Sequence, residues 1–542
     1  MPPTFTFPGV YIEEIPSGVH TITGVATSIA AFVGWAAQGP TDEATLVQSW
    51  ADFANQFGGL DARSNLGYSV NQFFNNGGQQ AYIVRLVSDT TNGNTAAATA
   101  SVNIKTITFD ASVSPSKVTV TKGAAGLTIS AANQGAWAKN YSIQVQPRID
   151  DYNRFTLSVV YTDPVTSAQT IVESYSNLST NSADTQGRYV VNILNEQSNY
   201  VTAKMAPTPV TLTVTPGVPT TPKASNPGSI ALNASVDGND GTPLAPGDTV
   251  FEKMLNSGGA GTAGVRLLDT VPIFNILCVP GETVVQNITE LQAYCVDNRA
   301  FLIVDSKSDD KVKDLALNGP AGITGVNSIN SALYFPWVNQ FDSQTNSTRA
   351  FPPCGFVAGL YAATDTARGV WKAPAGIDAS LTGDTGLTLN LTNAQNGSLN
   401  IQAINCLRNF PVYGDVIWGA RTLRGNNQVG SEWKYVPIRR LALFLESSLY
   451  DGTQWVVFEP NDEKLWGQIR MNVGAFMQGL FLQGAFQGTS PQQAYFVKCD
   501  ADNNPQSSID QGIVNILVGF APLYPAEFVV IQIQQMAGQL QA

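Results

Sequence analysis

The residues of this 542-residue chain whose types and spacing could do chemistry are one histidine, five cysteines and two glycine-rich runs. Histidine is the commonest general base and metal ligand near neutral pH. With His20 alone, an H-E-x-x-H site and most His-ligated metal centres are excluded, and a Ser-His-Asp triad would need His20 itself as base. An exposed loop histidine is the plainer reading. Cys278, Cys295, Cys354, Cys406 and Cys499 are scattered with no C-x-x-C pair, a pattern of small buried thiols in a reducing compartment rather than of a disulfide frame or zinc site. "GAGTAG", Gly259 to Gly264, spells G-x-G-x-x-G, but a dinucleotide fingerprint lies between a strand and a helix. Here the helical "FEKMLNS" precedes and the strand-like "VRLLDTVPIFNILCV" follows, so a linker is expected. "DGNDGT", Asp237 to Thr242, lacks the downstream acid of a calcium loop and reads as a turn. Asp309 and Asp310 read as the solvated start of a helix. No Walker-type phosphate loop occurs. The sequence therefore predicts no catalytic, cofactor-binding or metal-binding residue, with paired carboxylates left open because which acids meet is not written in a single chain.

Composition narrows the class. At about 100–200 residues per domain the length implies three or four compact units, and Gly 48 with Pro 30 favours turns and strands over long helices. Charged residues are 13%, against about 25% in an average soluble domain. Charge is depleted at interface cores, so this chain is expected to bury much of its surface against its own copies; a surface rich in Asn, Gln and Ser is the alternative. A net charge of -12, with no run of Lys and Arg interleaved with aromatics, excludes nucleic acid as a partner. Residues 1 to 30 lack the pattern of a signal peptide, and the longest apolar runs fall short of the ~20 residues of a helical membrane span. Cytosolic folding with no direct membrane insertion is expected.

The elements that would position anything follow from periodicity. "SIAAFVGWA" predicts a buried strand, "SWADFANQFGG" and "NLGYSVNQFFNNGG" two helices stopped by glycine pairs, and "QAYIVRLV" a second strand. From about 91 to 245 the texture turns Thr/Ser/Asn/Pro-rich, with short alternating runs such as "ITFDASV", "YSIQVQ", "RFTLSVVYT" and "TLTVT", an inserted β-rich domain. An α/β rhythm returns in "VPIFNILCVPG", "NITELQAYCVDN", "RAFLIVD", "SALYFPWV" and "VIWGARTL", which predicts a buried parallel sheet. "NDEKLWGQIRMNVGAFMQGLFLQGAF" predicts a long helix with Asn461 as its cap. "IVNILVGFAP" and "AEFVVIQIQQ" then read as strands, the second with Val529, Ile531 and Ile533 on one face and Val530, Gln532 and Gln534 on the other.

The opening "TFTFPGVYIEEIPSG" has the same character: Val10 and Ile12 point one way, Tyr11 and Glu13 the other. A terminal strand left unpaired invites aggregation, so the two ends either pair with each other or complete a sheet in neighbouring copies. Burying Val10, Ile12, Val529, Ile531 and Ile533 at ~1.5–3 kcal/mol each gives on the order of 10 kcal/mol before ordering costs. Donation that does not close generates stacked rings or a helical filament.

The segments "FPGVYIEEIPSG", "ITGVATSIAAFVGWAAQGP", "GLYAATDTARGVWKAPAG", "VIWGARTL", "IRRLALFLESSLYDGTQWVVFEPNDEKLWGQIR", "GAFQGTSPQQAYFVKCD" and "PAEFVV" resemble motifs of contractile tail sheath proteins of phages, R-type bacteriocins and extracellular contractile injection systems. The resemblance implies a multidomain α/β and α+β fold: an N-terminal arm (1–20), an α/β core begun at 21–90, an outward-facing β-rich insertion (91–245), an α/β middle domain (246–425) and a tube-facing C-terminal domain (426–542) ending in a strand arm. It implies arms at 4–15 and 527–535, carried by Val10, Tyr11, Ile12, Glu13, Phe528, Val529, Val530, Ile531 and Ile533. Flexible joints are expected around Pro16, Ser17, Gly18 and Gly24. It implies no enzyme activity and no cofactor. The implied partners are other copies, an inner tube protein, and baseplate and terminator proteins, assembled in the bacterial cytoplasm into a phage tail or injection particle. The middle region of such proteins is likened to subtilisin in fold, but no histidine lies there. The alternatives are a tail tube or baseplate protein and a histidine-independent α/β hydrolase.

Overall fold

The computed structural model describes residues 20–532, apart from 111, 113–116, 125, 149–150, 152, 216–226 and 260. Its contacts divide the chain into two units: a larger one of Ser28–Thr366 and Pro374–Lys434, and a C-terminal one of the residues up to Thr27, Ala367–Ala373 and those from Tyr435 on.

The larger unit is organised by an eight-stranded sheet. Its strands are β1 (Ala30–Trp35), β2 (Thr45–Val47), β3 (Ala81–Leu86), β4 (Ile276–Cys278), β5 (Phe301–Asp305), β6 (Ser331–Phe335), β7 (Ile404–Phe410) and β8 (Gly414–Ile417), in the order β2-β3-β1-β4-β5-β6-β7-β8. The six inner strands run parallel, and β2 and β8 close the edges antiparallel. "AAFVGW" is apolar throughout because every residue of β1 is buried, as a parallel sheet covered on both faces requires. The glycine stops act as expected: α1 (Trp50–Phe57) ends on Gly58 at φ 88, and α2 (Leu66–Asn75) precedes Gly77 at φ 106, both left-handed positions that favour glycine. α3 (Thr249–Leu255), α4 (Val285–Asp297) and α5 (Cys354–Arg368) follow, α5 buried from Cys354 to Ala362.

Two expectations are corrected here. "VRLLDT" is not strand: Gly264–Thr270 forms a 3-10 helix with Val265, Leu267 and Leu268 buried, an apolar run whose period alone did not decide its form. Only "DVI" of the segment around "VIWGARTL" is strand, within β8. Beyond it the Arg421 N–H donates to Asn405 Oδ1 at 2.7 Å and its Nη1 to the Asn400 carbonyl at 2.8 Å, drawing the chain out of the ladder.

The inserted strands form two sheets. Val201–Met205, Leu127–Ala131, Ser101–Asp110, Thr211–Thr215 and Lys117–Lys122 make one; Gly228–Ala231, Tyr141–Pro147, Arg154–Thr162 and Gln169–Ser179 make the other. Val102, Ile104, Ile129 and Leu127 of the first share a core with Ile143, Val145, Leu157 and Val159 of the second, the facing-sheet arrangement of a sandwich. Arg85, 2% exposed, ties the insertion to the α/β sheet. Its guanidinium donates to the carbonyls of Ala36 (2.8 Å), Ala37 (2.9 Å), Gly39 (2.5 Å) and Gln134 (3.0 Å).

At the β8 edge, burial and the neighbouring Asp415 push the Asp384 carboxyl up to about 6. A carboxyl raised above its unfolded value of about 3.9 adds stability that is complete below that value and is lost as pH rises through 6. Asp384→Asn, which keeps a donor toward Asp415, should therefore stabilise the protein at pH 8. With the group half exposed, the gain should be about 1 kcal/mol. The gain should vanish near pH 3.5, as urea melts at the two pH values will read.

The C-terminal unit packs α6 (Val436–Gly452) and α7 (Glu463–Leu482) around Leu441, Leu445, Leu465, Ile469, Val473 and Met477. The cap of α7 is Asp462, whose carboxylate accepts from the Leu465 N–H at 3.0 Å. Asn461, expected in that place, instead accepts from Trp466 Nε1 at 2.8 Å. β9 (Tyr495–Lys498) and β10 (Leu517–Phe520) pair antiparallel beside α7, with the Tyr495 hydroxyl donating to Gln478 Oε1 at 2.9 Å.

Candidate assembly surface

The groups that could do chemistry are occupied with structure. His20 is exposed and stacks on Trp455 with ring centroids 4.2 Å apart. All five cysteines are buried and unbridged. Burial pushes the Cys295, Cys354 and Cys406 thiols up, opposite to the lowered pKa that activates a nucleophile. Asp305, at the carboxyl end of β5, is pushed up to about 6 by burial, while its oxygens accept from the N–H groups of Gly281 and Cys354, each at 2.9 Å. That carboxylate fastens α5 to the sheet. In "DGNDGT" Asp240 accepts from the Ala136 N–H at 2.7 Å and pairs with Arg63 at 3.1 Å, a structural turn.

Open α/β sheets bind ligands outside the carboxyl ends of strands where the strand order reverses, here beside β1. The cavity at that place has a volume of about 80 Å³ and is lined in part by Trp35, Arg63, Asn65 and Arg349, well below the roughly 300–1,000 Å³ of ligand pockets. Its arginines are paired, Arg63 with Asp61 at 2.6 Å and Arg349 with Asp342 at 2.9 Å.

The C-terminal unit presents a different kind of site. Its two terminal segments are rooted at opposite ends of α6. On one side Ile22 is buried, the Val25 N–H donates to Ser448 Oγ at 3.2 Å and the Thr27 carbonyl accepts from Arg440 at 2.9 Å, so residues 20–27 run along the helix from Trp455 back to Arg440. On the other, Glu527 accepts from the Tyr435 hydroxyl at 2.9 Å and Tyr524 meets the Tyr435 ring edge-on. At 1.5 Å per residue, Tyr435 and Trp455 stand roughly 30 Å apart.

Of the expected arm residues, Val10, Tyr11, Ile12, Glu13 and Ile533 lie outside the described residues, as do the joint residues Pro16, Ser17 and Gly18. Phe528, Val529, Val530 and Ile531 are described and are 75–81% exposed, so both alternating faces of that run are bare. The strand expected over 526–535 is not formed over 526–532. A strand exists only by its ladder, and β9 and β10 are the only strands of this unit's sheet among the described residues. Packed beside α7, that two-stranded ladder keeps free edges among the described residues. Gly24 is explained by close approach: a Cβ there would stand 2.8 Å from Phe444 Cζ. The roots on α6 left no signal in the sequence, since Tyr435 and Glu527 are separated by 92 positions.

Comparison with known proteins gives this arrangement its class. Residues 271–423 match the phage tail sheath protein central domain and residues 428–536 the phage tail sheath C-terminal domain. The tail sheath protein of Vibrio phage KVP40 is 24% identical over 273 residues, 49% of this chain and 39% of that protein. The tail sheath protein of Burkholderia phage BcepMu is 27% identical over 315 residues, 55% of this chain and 63% of that protein. The chain thus spans less than two thirds of the length of either relative. The anti-feeding prophage helical sheath in its contracted state superposes with a TM-score of 0.56 at 21% identity, over 98% of this chain and 100% of that one. The last likeness concerns fold. The two domain matches show that residues 271–423 and 428–536 are similar to the central and C-terminal domains of phage tail sheath proteins.

Proposed function

We propose that copies of this chain polymerise helically around an inner tube, joined by exchanged terminal arms, and that the sheath shortens on triggering to drive the tube through a target envelope. The observation that carries this reading is the bare run Phe528–Ile531, rooted through Glu527 on a unit whose own sheet has two strands among the described residues. An arm from a neighbour supplies the missing ladder partners, and main-chain hydrogen bonds with alternate apolar side chains give the joint its strength. Residues 9–14 play the same part at the other end. The 91–245 insertion faces outward and the C-terminal unit faces the tube. The joints expected at Pro16, Ser17 and Gly18, ahead of the stretch anchored on α6, let subunit bodies turn while the arm joints persist, so the energy of contraction comes from added contact between bodies in a metastable lattice.

Such a mechanism uses neither catalysis nor a cofactor. Its partners are other copies, the tube, and baseplate and terminator proteins, in a phage tail or phage-like particle assembled in the cytoplasm. No described helix is long and apolar enough to cross a membrane. Electron microscopy of the purified assembly tests the reading: tubes in a long, thin and a short, wide form are expected, and a discrete monomer under all conditions would sink it.

A further inference from the structure

Two features of the C-terminal unit have no use among the described residues. The first is Phe458. Its φ is 72, in the left-handed region where a bulky residue is strained, yet its side chain is 103% exposed and Val457 beside it is 58% exposed. Among the described residues nothing hydrogen-bonds its backbone N–H or C=O. A strained aromatic held wholly in solvent is costly by itself.

The second is a groove of about 460 Å³ along α7, walled by Ile22, Gly24, Phe444, Phe476, Gly479 and Leu480. In its lining lies Asn472, 3% exposed, with neither its amide oxygen nor its amide nitrogen hydrogen-bonded among the described residues. A buried amide left open at both ends costs about the desolvation of each group.

We infer that the Val457–Phe458 knob of one copy seats in the groove along α7 of a second copy. Each feature supplies what the other lacks. Phe458 is fully exposed on its own chain, so it does not fill its own groove. The occupant is a second copy because the chain outside the described residues leaves at His20, stacked on Trp455 three positions before Phe458, while the next residues, Thr21 to Gly24, line the groove. The arm proposed to cross to a neighbour thus departs between knob and groove and brings that neighbour to this face. Two side chains fall far short of the roughly 800 Å² per partner of a stable interface, so the contact adds to the arm joints and depends on the sheath reading. Knob and groove are different surfaces of one unit, which makes the contact heterologous and able to propagate.

The test uses the full chain. A Cβ at Gly479 meets nothing within 4 Å, so Gly479→Leu projects into the groove without disturbing its own fold. Phe458→Gly relieves the positive φ. Both variants should melt at or above the wild-type temperature, and both should assemble at least ten-fold less than wild type by sedimentation. With Phe458 replaced by the photo-crosslinking analogue benzoyl-phenylalanine, and isotopically light and heavy copies mixed before assembly, crosslinks should join position 458 to residues 472–483 or Phe444 of another copy. Crosslinks confined to one chain, crosslinks only to a tube protein, or tubes formed by Gly479→Leu as readily as by wild type would each overturn the inference while leaving the sheath reading intact. Wild-type chains that never form tubes would instead remove the sheath reading on which it rests.

Discussion

Ending the chain after Glu527 should yield a folded subunit that no longer forms tubes. The Tyr435–Glu527 hydrogen bond stays, and Phe528 to Ile531 are exposed in the lone chain, so the melting transition should move by no more than about 0.5 kcal/mol, as for surface changes generally. Assembly is another matter. Burying those four side chains in a neighbour contributes on the order of 5–10 kcal/mol per joint before ordering costs. Loss of even half of that raises the concentration needed for assembly by roughly a hundred-fold or more, at tenfold per 1.4 kcal/mol. Sedimentation velocity alongside a thermal melt separates the two effects. Tubes at the wild-type concentration would show that this run is not an arm, and a collapsed melting transition would show that it belongs to the subunit core.

The second large effect is expected at Arg85. Burial draws its guanidinium down to about 10, so it remains charged at neutral pH, and it is held there by carbonyls at 2.5–3.0 Å. Arg85→Ala strands several buried acceptors at once and should cost about 3–5 kcal/mol, from charged hydrogen bonds at ~1.5–3 kcal/mol each with partial relaxation. Arg85→Lys should recover little, because an ammonium cannot reach four carbonyls spread across the planar fork of a guanidinium. Chemical denaturation followed by near-UV circular dichroism measures the loss. The Gln134 contact belongs to the insertion, so proteolysis within 91–245 should also quicken. A loss below 1 kcal/mol would mean that the carbonyls find other donors and that Arg85 is not the tie between insertion and sheet.

Much of the scaffold was legible because its signals are local. "AAFVGW" is apolar at every position since both faces of β1 are covered, and the glycine pairs after Phe57 and Asn76 mark helix ends by conformations that other residues adopt at a cost. Where a segment's form depends on distant partners, pattern fell short. Leu267 and Leu268 satisfy a strand as well as a 3-10 turn, and beyond Ile417 the chain leaves the ladder where Asn405, in the neighbouring strand β7, takes the Arg421 N–H. Asn461 and Asp462 are both good caps, and only the position of Trp466 Nε1 decides between them.

The assembly surface divides in the same way. Its arms were visible as alternating apolar runs at the two termini, and the resemblance named their use. The anchoring of the arms was not: Ser448, Arg440 and Tyr435 are ordinary members of an amphipathic helix until the fold lays residues 25, 27 and 527 against them. Neither was the groove beside α7, since Asn472 shares the helix stripe of Ile469, Val473 and Phe476 and nothing in that spacing says that its buried amide goes unpaired among the described residues.

The exchange of ends between copies is tested most directly by a cryo-EM density map of assembled tubes, traced from one terminus to the other. The account predicts that residues 9–14 and 527–533 lie as strands against β9 and β10 of adjacent subunits, extending that two-stranded ladder on its free edges. Density that returns both termini to the C-terminal unit of their own chain, with no strand passing between subunits, would contradict it.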